Sequence, residues 1–151
     1  MSPTTGEVVA SGEALPLVTC VDAICAGKII EHVENPIQFL VSCNTALKKG
    51  GKFVLSTPNP HHIGTFLSNV LGSVKNLYAD THLYLCSYRI VMKLMNLGGF
   101  SVLCCYGDYV KIPGLAVSIS TRRFPTLSNS IIIYYSEKVE NVRLNEIQSK
   151  L

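Results

Sequence analysis

The chain has 151 residues, 48% of them hydrophobic and only 15% charged, with a formal net charge of +3 and a mean hydropathy of +0.31. This balance excludes a disordered or coiled-coil chain, and a chain of this length folds as one domain burying roughly 70% of its unfolded surface. No apolar run reaches the roughly 20 residues of a membrane-crossing helix, since Asp22 interrupts the oiliest stretch, Leu15 to Gly27.

The opening residues Met1 to Glu7 lack the basic-then-apolar order of a secretory leader. Basic residues never run beyond pairs (Lys48-Lys49, Arg122-Arg123), so the expectation is no nucleic-acid partner and no membrane span. Cys20, Cys25, Cys43, Cys86, Cys104 and Cys105 form no C-x-x-C pair, and several lie in apolar runs. Cysteine used as a small hydrophobe predicts reduced thiols and a cytoplasmic setting.

In chain order, Val18 to Ala26 is a short apolar, partly β-branched run closed by Gly27, which predicts a buried strand. Asn35-Pro36 predicts a helix start, and Ile37, Leu40, Val41, Asn44 and Leu47 recur at helical spacing. Lys48-Lys49-Gly50-Gly51 predicts its stop, with basic charge in the last turn followed by glycine. Lys52 to Thr57 is a second strand, halted by Pro58-Asn59-Pro60, and residues 61–86 read as an irregular or partly helical insertion.

Ser87 is expected to cap a helix reaching Leu97, with Ile90, Val91, Leu94, Met95 and Leu97 as its apolar face. After Gly98-Gly99, Phe100 to Tyr106 and Ser128 to Ser136 predict the third and fourth strands. Strands alternating with helices predict an α/β fold of parallel strands flanked by helices and covered on both faces. The last strand, which no helix precedes, is expected to be antiparallel. Residues 1–138 read as a single domain and 139–151 as a polar tail.

Val21-Asp-Ala-Ile-Cys-Ala-Gly-Lys-Ile-Ile-Glu-His-Val33, followed by Glu34-Asn-Pro36, resembles the fourth-strand motif of class I S-adenosylmethionine-dependent methyltransferases. Ala46 to Asn59 looks like the helix end and fifth strand that follow it there. Asp80-Thr-His82, Gly98-Gly-Phe100 and Ile131-Ile-Ile-Tyr-Tyr135 continue the pattern in order, and Gly12-Glu-Ala-Leu-Pro16 resembles the loop after the third strand. The resemblance is nearest to the branch acting on small molecules, including ubiquinone-pathway enzymes. It implies a partial Rossmann-like sheet binding S-adenosylmethionine at the carboxyl ends of its strands.

The family's glycine-rich turn and its ribose-binding acidic residue have no counterpart in the first dozen residues, so the chain resembles the C-terminal half of that fold. Ser11 or Gly12 also stands where many relatives carry an Asp for the adenine amine. Losing the ribose carboxylate and the close glycine contact removes on the order of 4–6 kcal/mol, which weakens a micromolar site to roughly millimolar.

By resemblance, Ala26, Gly27, Lys28 and Leu15 are candidates for the cofactor floor, and Pro58, Asn59 and His61 for the substrate side. His62 and His82 are candidate proton acceptors, although methyl transfer chiefly needs in-line positioning. Glu31-His32 matches the end of a metal-holding Glu-x-x-Glu-His motif found in some relatives. Lys28 occupies its first position, and an ammonium there repels a divalent cation.

Each candidate has a plainer structural role beside the functional one. Gly27 serves a tight turn, Glu31 a helix start, and the histidines a solvated loop. Tyr106, Tyr109, Tyr134 and Tyr135 read as sheet packing and Arg122-Arg123 as a solvated pair. The expected function is methyl transfer from S-adenosylmethionine to a small-molecule acceptor, weak in this chain alone. The alternative is a non-catalytic interaction module. Either reading leaves the Val18 to Ala26 edge open to a homodimer partner or a companion chain carrying the N-terminal half.

Overall fold

A computed structural model describes residues 10–62, 83–107, 109–111, 118–120 and 131–148. Its elements are β1 (Val21–Gly27), α1 (Pro36–Ala46), β2 (Leu47–Pro58), α2 (Tyr88–Leu97), β3 (Phe100–Gly107), β4 (Tyr109–Lys111), β5 (Ser118–Ser120), β6 (Ile131–Lys138) and α3 (Leu144–Gln148). Four strands form one sheet in the order β1-β2-β6-β3, and β4 and β5 form a separate antiparallel pair.

β1 and β2 are parallel and joined through α1, while β6 enters antiparallel between β2 and β3. The antiparallel last strand is thus as expected, and it begins at Ile131; the predicted 128–130 lie outside the described residues. The fold is Rossmann-like, with a mixed sheet and flanking helices.

Local chemistry sets α1. Asn35 takes an extended conformation, its Oδ1 accepts from the Gln38 N–H at 3.0 Å, and Pro36 opens the helix. The helix ends at Ala46, short of the predicted Lys48-Lys49-Gly50-Gly51 stop, because Leu47 is already extended and those residues begin β2. What ends it comes from far along the chain. The Lys138 ammonium donates to the Asn44 and Leu47 carbonyls at 2.5 and 2.8 Å, and Lys138 is only 2% exposed. A cation at a helix C-terminus meets the carbonyls that lack an intrahelical partner.

Burial alternates along β2 and β6. Phe53, Leu55 and Thr57 face inward with Ile132, Tyr134, Ser136 and Lys138, and the residues between them are half-buried. Register puts Phe53 opposite Ser136, Leu55 opposite Tyr134 and Thr57 opposite Ile132. This face closes against Phe39, Leu40 and Cys43 of α1 and Val91 and Met95 of α2, and Phe53 stacks on Phe100 at 4.6 Å. Among the described residues this is the sealed face, and the side chains on the other face of β2 and β6 are half-buried. β1 is an outer strand, with Asp22, Ala23, Cys25 and Gly27 exposed.

Ser87 occupies the N-cap position of α2, but its hydroxyl makes no capping bond, and Ile90 lies outside the buried face. Residues 139–148 are not a free tail. Val142 and Ile147 bury against Val41, and the Asn44 amide donates to the Gly98 and Glu140 carbonyls at 2.9 Å each. Gly99 permits this junction, since it has φ +79° and a Cβ there would stand 2.8 Å from Asn44 Nδ2. No helix among the described residues is long and apolar enough to cross a membrane.

Lys138→Met keeps the packing and orphans two buried carbonyls, so it should cost about 2–4 kcal/mol in urea unfolding. Burial also holds the Lys138 pKa below the usual lysine range. Its unfolded form therefore binds the proton more readily, and the wild-type advantage over Lys138→Met should grow as pH rises from that lowered value towards about 10.4. A pH-independent difference between the two proteins would contradict this assignment.

Candidate functional site

Because β1 and β2 are parallel neighbours, their carboxyl ends open on the same edge. Gly27 pairs with Ser56, and the Lys28 N–H donates to the Ser56 carbonyl at 2.9 Å. The structure therefore brings Ala26, Gly27 and Lys28 beside Pro58 and Asn59. Ala26 is buried, whereas among the described residues a Cβ on Gly27 would meet only Ser56 Oγ, at 3.7 Å, so they leave the backbone open to a ligand there. Lys28 has φ +52°, a left-handed conformation unusual for a side-chain-bearing residue and often found where backbone strain serves a site.

Leu15, in the loop before β1, is half-buried against the core beside α1. Its N–H donates to Ser42 Oγ at 2.8 Å, and the Glu13 carboxylate accepts from the Asn35 N–H at 2.8 Å. A Cβ on Gly12 would stand 3.1 Å from the Phe39 ring and 3.8 Å from Ile29 Cδ1, so this loop lies against the turn that follows β1. The backbone gap at Gly27 suits the flat part of an adenosyl group. None of the described residues supplies a ribose-binding carboxylate on this edge, since Glu13 is engaged at α1.

Past β2, Asn59 is buried and its Oδ1 accepts from the His61 N–H at 3.0 Å, which forms an Asx turn. His61 is exposed and His62 half-buried on this turn. His82 lies outside the described residues. Glu31 is 1% exposed while the adjacent His32 is exposed, so the two side chains do not share one environment. Among the described residues, no three His, Cys, Asp or Glu side chains gather in the manner of a metal site.

Glu31 is also not at a helix start, because α1 begins five residues later at Pro36. Its backbone carbonyl accepts from the Leu83 and Tyr84 N–H groups at 2.8 and 3.4 Å. Its carboxylate oxygens, Thr57 Oγ1 and the Tyr134 hydroxyl are buried without hydrogen-bond partners among the described residues. Burial, aided by the Glu31 carboxylate, pushes the Cys86 thiol up, and burial likewise raises the Tyr134 and Tyr88 hydroxyls. Sequence reasoning took Tyr134 for sheet packing and passed over Thr57. Hydropathy carries no signal for Tyr134, since Ile131 to Tyr135 is apolar throughout, and it is the burial alternation along β2 and β6 that turns both inward.

Residues 3–55 match the family described as "Methyltransferase domain". Over 52 residues the chain is 38% identical to a mitochondrial ubiquinone biosynthesis O-methyltransferase of Dictyostelium discoideum, covering 34% of this chain and 16% of that protein. A Rattus norvegicus protein of the same name is 42% identical over 55 residues, 36% of this chain and 15% of that protein. The chain thus aligns with about a sixth of the length of these curated relatives.

Among solved structures, the fold resembles a Thermotoga maritima methyltransferase described as a possible histamine N-methyltransferase. The TM-score is 0.69 at 20% identity, covering 85% of this chain and 61% of that one. It also resembles an S-adenosylmethionine-dependent methyltransferase of Archaeoglobus fulgidus, with TM-score 0.62 at 13% identity, covering 87% and 66%. At these identities the structures speak to the fold.

The strain at Lys28 is directly measurable. Lys28→Gly should raise unfolding stability by about 1 kcal/mol, because glycine adopts the left-handed region at little cost. A loss of stability in denaturant titration would show that the side chain, and not the backbone, governs this turn.

Proposed function

We propose that this chain, a relative of the class I S-adenosylmethionine-dependent methyltransferases by sequence over residues 3–55 and by fold, binds that cofactor and takes part in methyl transfer to a small-molecule acceptor. The observation carrying the proposal is the shared carboxyl edge of β1 and β2, where Gly27 leaves backbone open beside Ser56 and Lys28 turns the chain in a left-handed conformation. Ala26, Gly27, Lys28 and Leu15 would hold the cofactor. When bound, it supplies an electrophilic methyl group.

The chain's own part is positional. Pro58, Asn59 and His61 would orient the acceptor on the substrate side, and His62 would take up a released proton at its imidazole. The matched ubiquinone-biosynthesis relatives support a small-molecule acceptor. The exposed outer edge of β1 supports pairing with a further strand, from a second copy or from a companion chain bearing a glycine-rich turn. Exposed thiols at Cys20 and Cys25 accord with a reducing, cytoplasmic setting.

Calorimetry of the purified chain with S-adenosylmethionine tests this directly. Saturable heat is expected at about millimolar cofactor, the range left by losing the ribose grip. Gly27→Val should abolish it while leaving stability within about 0.5 kcal/mol, because the added atoms enter open space. No heat at that concentration, or unchanged binding by Gly27→Val, would contradict the assignment.

A further inference from the structure

We propose that the outer edge of β1 is a self-association edge. Two copies of this chain pair β1 to β1, antiparallel about a two-fold axis, and join their four-stranded sheets into one. Of the occupants that edge could take, the backbone phase and charges of β1 select a second copy, independently of cofactor binding.

β1 ends the sheet order, so one side of its backbone faces no described strand. Backbone N–H and C=O groups turn to the two sides of a strand by alternate residues. The Lys28 N–H donates to the Ser56 carbonyl, which fixes the phase. Ile24 and Ala26 therefore turn their groups towards β2, and Ala23, Cys25 and Gly27 turn theirs outward. Those three residues are small and exposed. Edge strands are commonly blunted by a charge, a proline or a bulge, and Ala23 to Gly27 carries no charge and no proline. The irregularity in register lies before it, between Val21 and Ala23.

The outward groups also set the register. Centred on Cys25, a two-fold pairing uses all three residues: Cys25 opposes Cys25 of the second copy, and Ala23 opposes Gly27 twice. Each such pair exchanges two hydrogen bonds, about six across the axis. The same register brings Asp22 opposite Lys28 of the second copy, again twice. Asp22 is bridged to Lys48 at 2.8 Å, yet its side chain is 85% exposed, and Lys28 is exposed without an ion pair among the described residues. Centring on Ile24 or Ala26 instead sets Asp22 opposite Ala26 or Ile30 and leaves these charges unmatched.

Ile24 and Ala26 pack into the core on the helix side, so Cys25 lies on the other face. The axis sets the two Cys25 side chains next to one another there. Opposed hydrogen-bonded residues stand about 5.5 Å apart at Cα, a span that a disulfide bridges. Cys25 therefore reports the register. A cofactor at Gly27 would meet the face of the strand, whereas pairing uses groups in the sheet plane, so the two do not compete.

Sedimentation velocity of the reduced full chain, without cofactor, should give a species of twice the 16.5 kDa chain mass at about 100 μM. Ala23→Pro removes an outward N–H that β2 does not use, so its circular dichroism should match wild type. Dimerisation should weaken about 10-fold or more in that variant, because symmetry deletes two hydrogen bonds. Lys28→Asp should weaken it about 3-fold or more by facing like charges, and Asp22→Lys added to Lys28→Asp should restore it. Diamide, which takes two hydrogens from a pair of thiols, should link the dimer covalently. Cys25→Ser should abolish that link and leave the dimer, and Cys20→Ser should abolish neither.

A monomer at that concentration, a dimer undiminished in Ala23→Pro, no rescue by the charge exchange, or a link surviving Cys25→Ser would overturn the proposal. S-adenosylmethionine calorimetry on the same samples separates the two readings. Cofactor heat from a monomer removes this pairing alone, and a dimer without cofactor heat removes the transfer reading alone.

Discussion

The Lys138 ammonium lies where three parts of the chain meet. Among the described residues no carboxylate pairs with it, and it donates to the Asn44 and Leu47 carbonyls, at the point where α1 gives way to β2. Asn44, one turn back, uses its side-chain amide to hold the Gly98 and Glu140 carbonyls. The end of α1, the turn from α2 into β3 and the exit of β6 are thereby fixed to one another. Asn44, Leu47, Gly98 and Lys138 are buried, so their polar groups must be paired or the junction opens.

From that junction the candidate edge follows. Fixing the end of α1 fixes where β2 begins, and the parallel register then brings Gly27 opposite Ser56 at the far end of the sheet. The antiparallel entry of β6 between β2 and β3 sets which side chains turn towards α1 and α2. Thr57 and Tyr134 face inward for the same reason that Leu55 and Ile132 do, although their hydroxyls gain nothing from an apolar core. Of the polar atoms left unmatched among the described residues, those of Glu31 and Thr57 lie near the carboxyl ends of β1 and β2.

Local signals carried much of this arrangement. The Asn35-Pro36 start, the strand ending at Gly27 and the Pro58-Asn59-Pro60 stop are short-range chemistry and were legible as such. The end of α1 was not, because Lys138 lies 94 residues from Asn44, and Lys48-Lys49-Gly50-Gly51 offers a plausible local stop that the sheet overrides. Ile131 to Tyr135 is apolar at every position, so hydropathy alone could not tell the sealed face from the open one. The candidates Ala26 to Lys28 and Pro58-Asn59 came from resemblance, and the parallel pair brings them together. The environment of Glu31 was hidden, since its cover comes from residues 83–86, across a stretch with no strong periodicity.

The carboxyl edge of β1 and β2 is proposed as a ligand-binding edge organised by an otherwise unperturbed fold. Backbone amide resonances followed by two-dimensional NMR during S-adenosylmethionine titration test it most directly. Saturable shifts are expected at Ala26, Gly27, Lys28 and Ser56 to Asn59, with Asn44, Lys138 and Val142 unmoved. Shifts confined to other surfaces, or none at millimolar cofactor, would contradict it.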